Sequence, residues 1–537
     1  MHRFNLLFRR WPRAPYWFVY FAAVAFFLWT FVQFFLPGTG FTYLINFGDR
    51  PELPRIRELQ SVDVYVHKDS YGYDGQYYAQ IAVKPLLVSR DLRGAVDNLS
   101  YRARRILFCW TAYVLGLGQP YLILQAYAVQ NAIAWLLLAW LLLRWFPPDG
   151  LSNFVRWAGT LFAWGVALSV RSALMDGPSL LLIAVGVMLA EKGRPWGSAC
   201  VLGLAGLGRE TNVLAGSICL PEREWNWREV RSAAGRSLLV IGPLVLWTGC
   251  LWLAFGEPSN PGHRNFSAPF EEYFAKWSDA ITQLRANRSD ELAKWTLIML
   301  LSLTVQFLTI AFRPQWRNLW WRIGASYALL LVFLGSAVWE GYPGAASRVV
   351  VPLTLAFNVL VPRGLRWWPV LLLGNLSVLN FPDQLYPPPR KAFEVEGPHR
   401  LVQSPDGRGI SVAFSPEWDD TQKSSREYWR WCRGPGDIVI HNPQTFPMEV
   451  VLKFALRADN ACNVRVVEKG TVVRWQGRVD RGAAEVTIAS VRLEPGDNAW
   501  RFETDEPPPI PNDLDRRLFA FNLRNLVIEA VRRIETQ

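Results

Sequence analysis

The chain divides near residue 383 into two stretches with different patterns of apolar and polar positions. Before that point, long uncharged apolar runs alternate with short basic patches. After it, charge is spread evenly and apolar residues come in short alternating bursts. Four runs, 16–36, 120–143, 237–256 and 295–312, each offer the ~20 apolar residues that carry a helix across about 30 Å of hydrocarbon. Shorter runs at 158–170, 177–190, 323–339, 349–362 and 367–382 extend the series. A soluble protein hides one such run in its core, but rarely so many. The pattern predicts an α-helical polytopic membrane domain over residues 1–383, with about ten spans.

A Pro-rich linker follows at 384–398. Over 399–537, short strand-like runs recur at 409–414, 437–441, 450–456, 463–467, 472–475, 485–493 and 518–523. Turn signals separate them: Gly434-Pro435-Gly436, His441-Asn442-Pro443 and Pro495-Gly496-Asp497. This spacing predicts an all-β sandwich in water. Trp418, Trp429, Trp431 and Trp475 either fill its core, the simpler reading, or make a sugar-stacking surface.

The chain carries a net charge of +12, but its arginines gather at the ends of apolar runs, where they set topology. Nucleic acid is therefore not expected as a partner. Arg3, Arg9, Arg10 and Arg13 precede the first span with no cleavage pattern after it, as in a retained signal anchor. With these arginines cytoplasmic, residues 37–105 form a long non-cytoplasmic loop. Positive-inside then holds through Arg144, Arg156, Lys192 and Arg194. The run 195–220 is the difficult one. As a full crossing it would put Arg313, Arg317, Arg322, Arg363 and Arg366 outside; as a re-entrant hairpin it keeps them all inside. Charge favours the hairpin, with arms of about 12 residues or ~18 Å, Gly203, Gly206 and Gly208 easing the bend, and Arg209–Glu210 near the tip. The C-terminal domain and the loops 257–294 and 340–348 then share the outer side with 37–105.

Six cysteines show no CxxC spacing, so neither zinc nor dithiol chemistry is indicated. Cys432 and Cys462 could pair if their domain lies in an oxidising compartment.

The first outer loop holds the densest polar and aromatic cluster, Tyr71-Gly72-Tyr73-Asp74-Gly75-Gln76-Tyr77-Tyr78. Asp74 suits a helix N-cap as well as it suits a catalytic carboxylate. Tyr73, Gln76 and Tyr77 are placed to hold a sugar beside it. Arg102 and Arg105 follow Asp97-Asn98 in the same loop, and arginines on the outer side go against the usual bias, which fits a lipid phosphate. Arg171 and Asp176 occupy a short outer turn, Glu340 and Arg348 bracket Gly341-Tyr342-Pro343-Gly344, and Arg209 and Glu210 sit at the hairpin tip. Ionisable residues at membrane depth are costly and usually serve a function.

These residues carry a resemblance. Tyr73-Asp74-Gly75-Gln76-Tyr77-Tyr78 with Ile81-Ala82, Asp97-Asn98 followed by Tyr101-Arg102 and Arg104-Arg105-Ile106-Leu107, and Arg209-Glu210-Thr211 resemble the GT-C superfamily of polytopic glycosyltransferases. The nearest likeness is to bacterial proteins expected to build cell-surface glycopolymers. The resemblance implies an inverting transferase that takes a sugar from a polyprenyl-phosphate donor and passes it to a glycan or lipid acceptor of the cell envelope. It implies Asp74 as catalytic base, Asp176 as a second acidic group, and the bacterial inner (cytoplasmic) membrane, with the C-terminal domain extracytoplasmic. Arg348, Arg102 and Arg209, in that order, would meet the phosphate. The sequence lacks a paired DxD, so no cofactor is assigned, metal ligands are unknown, and a divalent cation stays open.

The rival functions are a transporter or flippase for a lipid-linked saccharide and a non-catalytic scaffold for polysaccharide assembly. A transporter would show internal repeats and ionisable residues at the bilayer midplane. No repeat is visible here, and the ionisable candidates are expected at the outer ends of the spans.

Overall fold

The structure, a computed structural model, describes residues 14–36, 39–48, 54–60, 62–67, 70–221, 226–256, 263–288, 290–340, 345–387, 393–394, 410–419, 422–423, 427–442, 446–505 and 519–533. The N-terminal arginines, the 341–344 stretch, Gly409, Pro443, and most of the 384–398 linker lie outside the described residues. The chain forms two compact units. One joins Met1–Gln33, Pro54–Val62 and Asp74–Leu385; the other joins Phe34–Leu53, Asp63–Tyr73 and Tyr386–Gln537. The stretch expected to be a single outer loop, 37–105, is thus shared between them.

The first unit is helical. Its helices include α1 (Ala14–Val32), α2 (Asp74–Val83), α3 (Leu99–Arg102), α4 (Leu107–Leu115), α5 (Pro120–Leu142), α6 (Leu151–Leu161), α7 (Trp164–Arg171), α8 (Asp176–Glu191) and α9 (Pro195–Gly208). A 3-10 segment, Glu210–Cys219, comes next. It is followed by α10 (Trp227–Phe255), α11 (Glu291–Ala311), α12 (Leu319–Val332), α13 (Ala346–Val349), α14 (Val351–Leu360) and α15 (Trp368–Leu373). Among the described residues four helices, within α1, α5, α10 and α11, are long and apolar enough to cross a membrane. Leu238, Leu246 and Leu253 of α10 face outward, as they would toward lipid. This marks a membrane protein. Of the shorter expected spans, 177–190 is continuous within α8 and most of 349–362 forms α14, whereas two others are broken. Run 158–170 breaks between α6 and α7, and run 367–382 becomes α15 plus short turns. Their break points are filled by neighbours: a Cβ on Gly374 would meet the Phe357 ring at 2.2 Å. Nearby, Asn358 and Asn375 exchange side-chain hydrogen bonds of 3.0 and 2.8 Å, and Gln306 donates to the Gly374 carbonyl at 2.7 Å. Such contacts satisfy backbone freed by a broken helix.

The basic ends of these helices come together. Arg144 pairs with Glu191 at 2.8 Å, Trp145 donates to the same carboxylate at 2.9 Å, and Arg363 donates to the Trp145 carbonyl at 3.3 Å. Arg156 reaches the Asn358 and Val361 carbonyls at 2.7 Å. Arg322 donates to Leu220 O at 2.7 Å, two residues from Trp320, which lies 5.1 Å from Trp145. Residues 195–220 therefore begin and end at the same end of the unit. The chain reverses around Arg209, where Asn212 Nδ2 donates back to Ala205 O at 2.9 Å.

The second unit is mostly β. A short parallel pair, β1 (Phe47–Gly48) and β2 (Val66–His67), comes from its N-terminal pieces. The rest is β3 (Phe393–Glu394), β4 (Ser411–Phe414), β5 (Gln422–Lys423), β6 (Tyr428–Cys432), β7 (Gly436–Asn442), β8 (Met448–Arg457), β9 (Cys462–Glu468), β10 (Val472–Val479), β11 (Ala484–Leu493), β12 (Gly496–Thr504) and β13 (Phe521–Arg533). One sheet runs β10-β9-β12-β7-β4; the other runs β11-β8-β13-β6-β5, with β3 on β13. Alternate residues turn inward, as with Asn498, Trp500 and Phe502 of β12. Phe454 of β8 meets Phe502 at 5.7 Å, so the two sheets touch. Trp418 is core, packed 5.5 Å from Phe502 and 5.8 Å from Phe521. Trp429 and Trp431 face the other side of β6, under Arg524 and against Phe519. Cys432 and Cys462 do not pair: both are buried free thiols.

Candidate functional site

Five stretches of the chain bring their charges to one place in the first unit. Asp74 opens α2, and its carboxylate is not spent on capping. Oδ1 lies 2.9 Å from Arg102 Nη1, and Oδ2 lies 3.7 Å from Arg348 Nη1. The same Arg348 nitrogen is 3.8 Å from Asp176 Oδ2, whose other oxygen pairs with Arg209. Arg105 pairs with Glu210 at 2.8 Å and donates to the hydroxyls of Tyr78 at 2.8 Å and Tyr101 at 3.2 Å. Arg102 is clamped from behind by Asp97, with Nε and Nη2 at 3.0 and 2.7 Å from its two oxygens. Its guanidinium lies 5.0 Å over the Tyr77 ring, a cation–π contact. Gln76 lies beside the Tyr77 side chain.

Local chain geometry sets this up. Asn98 caps α3 by accepting from Tyr101 N at 3.0 Å, which folds Asp97 back onto Arg102. Asp176 is the first residue of α8, where the helix dipole favours a negative charge. Arg209 is held in extended backbone at the end of α9. Gly208 before it admits no side chain: a Cβ there would come within 2.6 Å of the Phe108 ring and 2.8 Å of Ser179 Oγ.

The carboxylates differ in access. The Asp74 side chain is 25% exposed and that of Asp176 only 2%. Asp74 is open to the outside; Asp176, in this arrangement, is a buried counter-ion that fixes Arg209 and Arg348. Burial alone would raise the Asp74 carboxyl, but Arg102, then Arg348 and Arg105, outweigh it and hold the group below the usual carboxylate range. Arg102 is driven the other way: burial works against its charge, and Tyr78, Asp74 and Asp97 more than compensate. Ser179 Oγ and Tyr127 Oη are buried with no hydrogen-bond partner. Buried polar groups are normally satisfied, so the surroundings of the cluster have unused donors and acceptors.

The cluster is recessed. Trp247 of α10 donates to Ala103 O at 2.8 Å, which fixes the level of Arg102 and Arg105 about 12 Å short of the Phe255 end of that helix. From the other side, Gly177 N donates to Ser169 Oγ at 2.8 Å and Ser169 donates to Asn131 Oδ1 at 3.0 Å. Asn131 lies about 16 Å along α5 from its Pro120 end. The charged groups thus lie inward of the Phe255 end of α10 and of the Pro120 end of α5.

Of the residues singled out from sequence, Asp74, Arg102, Arg105, Asp176, Arg209, Glu210 and Arg348 form one network, with Gln76 and Tyr77 beside it. Two remain, Glu340 and Tyr73. Glu340 pairs with Arg264, both more than half exposed, and no described contact ties it to the cluster. Tyr73 belongs to the second unit, where its N–H donates to Asn46 O at 3.0 Å. Asp97, Tyr78 and Tyr101 carry contacts that sequence reading did not assign. Among the described residues no group of three or more His, Cys, Asp or Glu side chains could hold a metal ion; the cluster's carboxylates are interleaved with arginines instead. Compared with known proteins, the chain matches no family model and no curated protein.

Proposed function

We propose that the chain is an integral membrane glycosyltransferase of the GT-C type, moving a sugar from a polyprenyl-phosphate (or diphosphate) donor to a glycan or lipid acceptor of the cell envelope. The observation that carries this reading is the convergence of Asp74, Asp176, Arg102, Arg209 and Arg348 on one recessed cluster in a membrane unit. Asp74, the reachable carboxylate, takes the proton of the acceptor hydroxyl as that oxygen attacks the anomeric carbon. The bond from that carbon to the lipid phosphate breaks with inversion. Arg348 meets the leaving charge first, because its ion pairs, at 3.7 and 3.8 Å, are the longest in the cluster. Arg102 follows, and Arg209 contributes from behind Asp176. As Arg348 turns to the phosphate, it releases Asp74 to act as a stronger base.

The basic end formed by Arg144, Arg156, Arg322 and Arg363 fits the cytoplasmic side. About ten passes, several of them short and broken, then put Asp74 on the non-cytoplasmic side, with residues 195–220 as the re-entrant hairpin. The C-terminal β unit, as a sandwich, would lie outside the inner membrane of a bacterium. The test is to incubate purified protein with a panel of polyprenyl-phosphate sugars and follow release or transfer. Turnover abolished by Asp74→Asn at wild-type expression supports the reading; turnover retained by that variant overturns it.

One observation favours a second reading. Ionisable residues recessed about 12 Å from a helix end suit a transporter or flippase of a lipid-linked saccharide. Such a protein would move the donor between leaflets without cleaving its sugar.

A further inference from the structure

Beyond the ion cluster, the same end of the first unit carries exposed apolar tips. Helices α2 and α4 rise side by side: Arg102 meets Asp74 at their base, and Cys109 donates to Tyr78 O at 3.3 Å one turn further on. Their far ends, Val83 and Leu115, therefore reach a similar height. Past α2, Leu87 adopts φ +63, a conformation that L side chains rarely take. That turn buries Leu87 and leaves Leu86 and Val88 82% and 86% exposed. Past α4, Leu117 takes φ +51 and is 78% exposed, next to Val114 at 68%. The third tip is the last turn of α10, where Leu253 is 89% exposed. Arg93, on the short helix Arg90–Ala95 that follows α2, lies 5.1 Å over the Phe255 ring and joins the first tip to the third.

Several large apolar side chains exposed at one end of a unit call for a partner, and here the partner's chemistry can be named. Leu253 continues the apolar outer side of α10, which carries Leu238 and Leu246. Whatever solvates that helix also reaches the tips, and Arg93 beside them suits an anionic headgroup. We infer that these tips are sunk in the acyl region of one bilayer leaflet, so that the Asp74 cluster, about 12 Å below the end of α10, is approached from within the lipid phase. The occupant is lipid acyl chain, and the inference holds whether the cluster transfers sugars or moves lipids.

The test places a single cysteine at Leu86 or at Leu117, in a background in which the exposed Cys200 and Cys250 are changed to Ser. Each variant is labelled with an environment-sensitive fluorophore and reconstituted in phosphatidylcholine–phosphatidylglycerol vesicles. Both side chains are mostly exposed, so neither substitution removes packing, and the two sites check each other. Expected are blue-shifted emission, strong quenching by lipids spin-labelled high on the acyl chain, and weak quenching by iodide. Quenching by iodide alone would put the tips in water, and quenching by neither would put them under protein. Either result overturns the inference.

Discussion

Arg348 Nη1 stands 3.7 Å from the Asp74 carboxylate, and the same nitrogen stands 3.8 Å from Asp176. One guanidinium thus links the reachable carboxylate to the buried one, and it is the second cation, after Arg102, that holds Asp74 down.

The sign of the pH dependence follows. Asp74 is depressed in the folded protein, so its pairing stabilises the fold above the unfolded carboxyl value and that contribution is lost as pH falls through the folded one, below about pH 4. The acid limb of the activity profile is expected below about pH 4 for the wild type. Arg348→Gln removes one depressing cation, so the limb moves to higher pH while kcat falls roughly 10²–10³-fold. A pH–rate profile of both proteins checks this; an unmoved limb would separate Arg348 from Asp74 in function.

Asp97 holds two nitrogens of Arg102 and leaves the third for Asp74. Asp97→Asn unbalances that arginine, so Asp74 is held lower still and kcat drops by about ten- to a hundredfold. The donor KM stays nearly unchanged, and Asp97→Glu restores most of the rate. Equal losses in the Asn and Glu variants would point to a merely structural part for Asp97.

Buried Asp176 is expected to matter for folding as much as for turnover. Asp176→Asn leaves Arg209 and Arg348 without their shared carboxylate, a loss of roughly 3–5 kcal/mol for a buried pair. Thermal unfolding of the detergent-solubilised protein should show a clear drop, whereas Glu340→Gln, at an exposed pair, should leave the melting curve in place.

Much of this was legible in the sequence. The four long apolar runs needed only length and hydropathy, and the arginine pattern favoured a run 195–220 that ends where it begins, as it does in the helical unit. Asp74, Asp176, Arg209 and Arg348 stood out because charges beside apolar runs are rare. Glu340 stood out for the same reason, but its partner Arg264 lies on a different segment, and only folding reveals such a choice. The recessed depth was hidden because it depends on Trp247 meeting Ala103 and on Ser169 bridging Asn131 to Gly177. Strand β6 was missed because Trp429 and Trp431 make both of its faces apolar, which erases the two-residue period. The claim of 34–53 and 63–73 by the β unit left no periodic signal at all.

Gly208 offers a purely geometric check of the hairpin. Any Cβ there meets the Phe108 ring and Ser179, so Gly208→Val should displace Arg209 and lower both stability and turnover, while Gly242→Ala, in open space, should do neither. Normal melting and turnover in Gly208→Val would mean the turn is not packed as described.

The central claim is that Asp74 and its arginines break the bond between a lipid phosphate and a sugar. The most direct measurement reconstitutes wild type and Asp74→Asn in vesicles with a radiolabelled polyprenyl-phosphate sugar, and follows both the glycosidic bond and the leaflet in which the lipid resides. The account predicts that the wild type cleaves the bond and passes the label to an acceptor or to water, and that Asp74→Asn does neither. Movement of an intact donor between leaflets with no bond broken would contradict it.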